Sequence, residues 1–318
     1  MASHDVRKLN PGIQVDNLFV GVASKVNPHL VKETSGVGNF GLKTLSLVSG
    51  GANPNLAFAL NASGSLMALN NPALLEVSGV FFNGTNEYLD LATDADFDFN
   101  YNTPYSLSAW VGTTSNAAQA PISKMNSTDS YRGWDMYLYQ GKVSAHLTHT
   151  WSSSAIKVTT TTAMPTVNDG DGHSIVITYD GSTNANGMTI YIDGTSASID
   201  INNDNLGNDD TTNSIDINIG RREYGVYMNG FLAHVSVWNK ELNSTEVTAI
   251  YNSGKPGDLS AHAAAGNLIA WWKTGNGISG STKDCTNSTT GSSYVYDMST
   301  GSHHMTPKTL YGYDTIDV

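Results

Sequence analysis

From residue 80 to about 240, apolar and polar positions alternate in short runs separated by Gly, Asp and Asn. The runs are VFFNG, EYLDL, YSLSAWVGTT, GWDMYLYQ, KVSAHLTHTW, IKVTTTTA, HSIVITYDG, GMTIYIDG, SIDINIG and FLAHVSVW. A two-residue period sends successive side chains to opposite faces, so these runs read as half-buried antiparallel strands, enough for two stacked sheets. One helix is predicted, in ELNSTEVTAIYNSG. Asn243 caps it, Glu246 completes a capping box, Gly254 stops it, and Val247 and Ile250 pack it across one end of the sandwich.

The flanks are sparser. Residues 1–79 carry apolar segments at Leu18, Phe19 and Val20, at Leu45 and Leu47, and around Phe58, divided by glycines and prolines too often for a core of their own. They read as an extended arm whose apolar positions are covered by the main domain or by another chain. Residues 255–318 open with a linker, KPGDLS, and continue through NLIAWWKTGNG to YVYDMSTGSHHMTP. Trp271 and Trp272 are neighbours, so in a strand they face opposite ways, and one of them must meet another layer or another subunit. The expected divisions are therefore an arm over 1–79, a sandwich over 80–254 and an extension over 255–318.

Composition supports the all-β reading: 31 glycines, dense Asn, Ser and Thr, and few Lys and Glu to fill helix surfaces. With 28 acidic against 16 basic residues the net charge is −12, which repels phosphate backbones and anionic lipid heads. Nucleic acid and membrane are thus excluded as expected partners, and no apolar window approaches the 18 residues of a spanning helix. The N-terminal stretch is interrupted by Pro11, Gln14, Asp16 and Asn17 and lacks a signal-peptide core. The lone cysteine, Cys285, allows no internal disulfide and fits synthesis in a cytoplasm. On that reading the N-x-S/T sequons at Asn61, Asn83, Asn126, Asn243 and Asn287 are products of an Asn/Ser/Thr-rich surface.

The order VFFNGTNEYLDL, YSLSAWV, DGHSIVITYDG with GMTIYIDG, INIGRR, and NGFLAHVSVWNKELNSTEVTAIYNSG resembles the laminin G-like, concanavalin A-like jelly-roll family over about residues 80–254. The resemblance implies a two-sheet antiparallel jelly-roll sandwich with N- and C-terminal arms. It implies that Phe82 and Gly84 open a front strand, that Trp110 and Trp238 are core, and that Tyr191 and Gly194 belong to a hairpin joining neighbouring strands. Family members usually carry an acidic residue where this chain has His234. IAWWKTGNG followed by YDMSTGSHHMT looks like the opening segment of such a jelly roll displaced to follow the helix, an order similar to structural proteins of tailed phages.

Glucan hydrolases of this sandwich class need paired carboxylates, typically as Glu-x-Asp-x-x-Glu. The six glutamates, Glu33, Glu76, Glu87, Glu223, Glu241 and Glu246, form no such pattern, so no enzyme is expected. His146 and His149 face opposite ways in a strand, and His303 and His304 are adjacent; both pairs read as surface or hydrogen-bonded histidines. Cys285 reads as a bystander thiol. Calcium is the one cofactor the family resemblance brings in. Its candidate ligands are Asp169 and Asp171 in NDGDG and Asp204, Asp209 and Asp210 in NNDNLGNDD, loops that otherwise read as solvated turns. Gly36, Gly38 and Gly41 form neither a Walker sequence nor a dinucleotide fingerprint.

Three functions follow as expectations. The first is a virion structural protein, made in the host cytoplasm and decorating or stabilising a bacteriophage capsid. Its partners would be other copies of itself and other virion proteins, with Leu18, Phe19, Val20, Leu45, Leu47, Phe58, Trp271 and Trp272 as assembly contacts. The second is a glycan-binding lectin of a tail fibre or adhesin, with Trp134, Tyr137, Tyr139 and Trp151 as the stacking platform. The third is a glycoside hydrolase of the same fold.

Overall fold

The structure, a computed structural model, describes residues 57–60, 66–69, 79–92, 94–161, 167–169, 172–223, 225–273, 295 and 297–308. Along the chain its strands are β1 (Ala57–Leu60), β2 (Leu66–Leu69), β3 (Val80–Asn83), β4 (Tyr88–Leu91), β5 (Tyr105–Gly112), β6 (Gln119–Asn126), β7 (Arg132–Tyr139), β8 (Lys142–Thr150), β9 (Ser154–Thr160) and β10 (Gly172–Tyr179). They continue with β11 (Met188–Ile192), β12 (Thr195–Ser196), β13 (Ile199–Asp204), β14 (Ile217–Ile219), β15 (Arg221–Arg222), β16 (Val226–Tyr227), β17 (Asn229–Trp238), β18 (Leu268–Trp272) and β19 (Thr306–Lys308); the α-helix α1 covers Ser244–Tyr251.

Two antiparallel sheets make the sandwich. The first has seven strands, ordered β12-β11-β10-β5-β17-β18, with β3 pairing the other half of β17. The second has eight, ordered β13-β9-β8-β7-β6-β14-β4-β19. Their inner faces share one core, to which β5 contributes Leu107, Ala109 and Val111, β7 contributes Trp134, Met136 and Leu138, and β3 contributes Phe82. The hairpin from β11 to β12 turns at Asp193 and Gly194, both at positive φ (51° and 76°), a primed turn that suits the twist of two adjacent strands. A Cβ on Gly194 would come within 3.1 Å of the Tyr251 ring, so this position also needs glycine for contact with α1.

A second apolar layer lies on the outer face of the seven-stranded sheet. There Val176, Trp238 and Trp271 meet Leu242, Val247 and Ile250 of the α1 region and Leu259 beyond it. The helix has the expected capping box, Asn243 and Glu246 each serving the other's backbone. It covers a sheet face, however, where the sequence suggested an end of the sandwich. It also stops earlier than expected, because Asn252 and Ser253 take φ of 45° and 58° ahead of Gly254.

Trp110 and Trp238 are buried as expected, yet both leave the space between the sheets. Pleat alternation sends Ser106, Ser108 and Trp110 outward when Leu107, Ala109 and Val111 point in. Trp110 is 1% exposed and stacked beneath Tyr251, with ring centroids 6.0 Å apart. Tyr191, partly buried, packs against the same outer layer.

The C-terminal stretch corrects two expectations. Trp272 faces the core between the sheets and Trp271 the outer layer, so both rings are buried within their own chain and neither is left for another subunit. The sandwich also runs past residue 254, since β18 pairs with β17 and β19 pairs with β4. Of the other expected assembly contacts, Leu18, Phe19, Val20, Leu45 and Leu47 lie outside the described residues. Phe58 is on β1, which forms a hairpin with β2.

Trp110→Ala and Trp272→Ala should each destabilise the domain by about 3–5 kcal/mol, read as a lower urea midpoint with unchanged slope. An unchanged midpoint for Trp110→Ala would mean that the helix layer does not seal that face.

Candidate functional site

The outer face of the eight-stranded sheet carries a row of polar side chains running across every strand. Register places Asn203 beside Lys157, then His146, Asp135, Ser123, Asn218, Asp90 and Thr306 in turn. One residue along each strand from β9 to β4, the inward row is Val158, Ala145, Met136, Ile122, Ile219 and Leu89.

The middle of the polar row is an ionic cluster. Asp135 is 1% exposed and accepts from His146 Nδ1 at 2.7 Å, from Arg222 Nε at 2.7 Å and from Arg222 Nη2. Burial opposes the charge on Asp135, but the Arg222 guanidinium and then His146 outweigh it and hold the carboxyl below its ordinary 3.8. The two arginines of β15 divide the work. Arg222 clamps Asp135, and Arg221 donates to Asn218 Oδ1 at 2.8 and 3.1 Å with its guanidinium 3.5 Å from the centre of the Tyr88 ring. The Ser123 hydroxyl, in the same row, is buried without a hydrogen-bond partner.

Aromatic rings rim the cluster. The Arg222 guanidinium lies 4.6 Å from the Tyr137 ring centre, 5.5 Å from Trp151 and 5.7 Å from Tyr131. Lys157 Nζ donates to the Trp151 carbonyl at 2.8 Å and sits 4.3 Å over its ring, and burial pushes this ammonium's pKa down. Tyr131 and Tyr139 are exposed, whereas Tyr137 and Trp151 are half-buried.

Three of the four expected platform residues, Tyr137, Tyr139 and Trp151, therefore lie on or beside this face. Trp134 does not. It points to the opposite side of β7, is 1% exposed in the core, and donates Nε1–H to the Phe97 carbonyl at 2.9 Å. Asp135, Arg221 and Arg222 were not foreseen as site residues. Their signal was present in a single charge inside the aromatic strand GWDMYLYQ and an RR pair directly after INIG.

Among the described residues, the expected calcium ligands are engaged by the protein itself. Asp169 faces His173 Nε2 at 3.2 Å, Asp204 accepts from the Ala185 amide at 2.6 Å, Asp209 from the Ser154 hydroxyl at 2.6 Å, and Asp210 from the Thr212 amide at 3.0 Å. Each is thus engaged within its own turn or with a neighbouring strand, and Asp171 lies outside the described residues. A different group could coordinate a metal ion: Asp94, Asp96 and His303 bring three ligand atoms within 4.8 Å of one another. His234, standing where the family usually has an acidic residue, is at a bulge in β17 with φ 47° beside Trp271. Burial, followed by the charge of Lys273, pushes its pKa down to about 3, so it remains a neutral imidazole.

A family profile described as the Concanavalin A-like lectin/glucanases superfamily matches residues 83–248, more than half of the chain, and the chain belongs to that superfamily. A search of curated proteins returns no match. Among solved structures, the chain is similar to the binding domain of Paraclostridial Mosquitocidal Protein 1, at 16% identity and TM-score 0.40 over 63% of this chain and 52% of that one. It is similar to a candidate carbohydrate binding protein from Bacteroides ovatus, at 13% identity and TM-score 0.48 over 76% of this chain and 61% of that one. It is also similar to a heptameric SAP-like pentraxin from Limulus polyphemus, at 12% identity and TM-score 0.41 over 57% of this chain and 84% of that one. At these identities and scores none of the three informs function.

These findings overturn the expected virion role, with its bacteriophage capsid and virion partners. The matching family is one of lectins and glucanases. The phage resemblance rested on the displaced WW segment, which here completes this chain's own sheet.

Arg222→Ala would leave a buried carboxylate with His146 as its remaining partner and should cost about 3 kcal/mol of stability near neutral pH. Because the Asp135 pKa is lowered on folding, its contribution is present above 3.8 and lost as pH falls through the lower folded value. Without Arg222 burial dominates and the folded pKa rises, so the acid unfolding limb should move to higher pH. Urea melts of both proteins across the acid range would show it, and coincident limbs would refute the clamp.

Proposed function

We propose that this chain is a non-catalytic glycan-binding module, and that the sugar lies on the outer face of the eight-stranded sheet. The carrying observation is the polar row crossing all eight strands, with Tyr131, Tyr137 and Trp151 gathered around the Arg222–Asp135–His146 cluster at its centre. Sugars present apolar ring faces and equatorial hydroxyls, which half-exposed aromatic rings and fixed polar groups match. A preformed, hydrogen-bonded floor also reduces the ordering cost of binding. Membership of a superfamily containing lectins supports the same reading.

The absence of turnover is part of the proposal. Asp135, the carboxylate at the centre, is held ionised by Arg222 and His146 and cannot supply the proton a general acid must give. Along the row, Asp90 lies three strands away, about 14 Å at the usual strand spacing. That is wider than either hydrolytic geometry.

A glycan array followed by calorimetry on the best soluble hit should show saturable binding. Tyr137→Ala and Trp151→Ala should each weaken it about tenfold, near 1.4 kcal/mol, measured at a temperature where both variants are folded. Binding unaffected by both substitutions would place the sugar elsewhere, and reducing ends released from the bound glycan would make the protein a hydrolase.

A further inference from the structure

At the sandwich edge where the C-terminal segment returns, Asp94, Asp96 and His303 meet away from the proposed sugar face. Asp94 caps the short turn of helix Ala95–Phe97, using Oδ1 to accept the Asp96 amide at 2.9 Å. Asp94 Oδ2 and Asp96 Oδ2 face His303 Nε2 at 3.7 and 3.3 Å. The histidine is 5% exposed and its ring rests edge-on against Phe97, with centroids 4.9 Å apart. Neither carboxylate contact of Nε2 has hydrogen-bond alignment.

What fixes the ring is a residue outside this trio. Asp297, itself 5% exposed, faces His303 Nδ1 at 3.3 Å and accepts the His303 amide at 3.0 Å, both through Oδ2. With Asp297 facing Nδ1, Nε2 is the ring nitrogen turned toward the two carboxylates. One imidazole nitrogen and two carboxylate oxygens thus lie within 4.8 Å of one another. Carboxylate support of the far ring nitrogen is the usual orienting partner of a metal-bound histidine.

We propose that Asp94, Asp96 and His303 bind a divalent cation of the zinc class, and that this ion fastens the C-terminal segment to the 94–97 turn. A tetrahedral site with ligands about 2.1 Å from the ion separates those ligands by about 3.4 Å. The two distances from Nε2, 3.3 and 3.7 Å, bracket that value. Two carboxylates and a neutral histidine balance the charge of the ion. Calcium is the poorer fit, because it takes six to eight oxygens and the buried member of this set is a nitrogen. Asp94 and Asp96 are partly exposed, which gives the ion an entry path and leaves water to complete its coordination.

The test is titration of the full chain, after chelator treatment and dialysis, with Zn2+ and separately with Ca2+. Two readouts are followed, bound metal by equilibrium dialysis and Trp fluorescence, since Trp272 donates to the His303 carbonyl at 2.7 Å. The proposal expects one tightly bound Zn2+ per chain, a higher melting temperature with Zn2+, and no comparable effect of Ca2+ at equal concentration. His303→Gln should abolish the site. Asp96→Asn, at an exposed position that leaves the fold intact, should weaken Zn2+ binding about a hundredfold. Zn2+ bound equally by the wild type and Asp96→Asn would assign it to other histidines and overturn the proposal. Preferential Ca2+ binding would overturn it too, as would no stoichiometric metal together with a His303 ring that is protonated at neutral pH.

Discussion

The pleat of the eight-stranded sheet is the constraint from which the rest follows. Successive side chains must leave opposite faces, so one step along any strand exchanges the row Lys157, His146, Asp135, Ser123, Asn218 and Asp90 for Val158, Ala145, Met136, Ile122, Ile219 and Leu89. A slip of one residue in any pairing would put a charge between the sheets and an aliphatic side chain on the outer floor. The register is thus fixed twice, once by burial of the apolar row and once by the ionic contacts of the polar one. Core and site are two readings of one alternation.

That polar floor creates its own demand. Asp135 on an open sheet face would be solvated, but the β15–β16 hairpin and the Tyr137, Trp151 and Tyr131 rings cover it, and a covered carboxylate requires cations. Arg222 and His146 supply them, and the planar guanidinium can serve the carboxylate with two donors while its faces lie against aromatic rings. Arg221, the preceding residue, reaches the other way to Asn218. Two consecutive arginines on a strand therefore brace two different points of the row, which an Arg–Lys pair could not do with the same geometry.

The sandwich was legible in the sequence because its signal is local: the period of two in YSLSAWVG or HSIVITY, the Asp-Gly turn at 193–194, and the Asn243/Glu246 capping box are all read within a few residues. Which buried aromatic serves which layer was less legible. Trp110 and Trp238 look like sandwich core in the sequence, but the second layer over the seven-stranded sheet depends on α1 and Leu259, far along the chain. The site was half legible for the same reason. Tyr137, Tyr139 and Trp151 could be picked out as aromatics near one strand, yet Trp134 shares their composition and differs only in parity. The Arg222–Asp135 contact joins positions 87 residues apart, and the Asp94–His303 approach spans a still longer separation, so neither leaves a spacing to recognise.

The C-terminal segment shows how a stretch without a core of its own becomes necessary to the fold. An antiparallel sheet ends in unpaired backbone groups, and each sheet here has such an edge near residues 80–91. β18 lies beside β17, end to end with β3, and β19 lies beside β4, so the C-terminal segment supplies an outer strand to each sheet. Between those strands the chain must cross from one sheet to the other, and Asp297 organises the crossing. It accepts the amides of Trp271, Ser299 and His303, and these bonds with the His303 ring hold its carboxyl below the ordinary range despite its burial. Trp271 and Trp272 then anchor the crossing in the two apolar layers, one on each side of the first sheet. Removing the segment would therefore strip an outer strand from each sheet and uncover two apolar layers together, which makes its ordering inseparable from that of the sandwich it clasps.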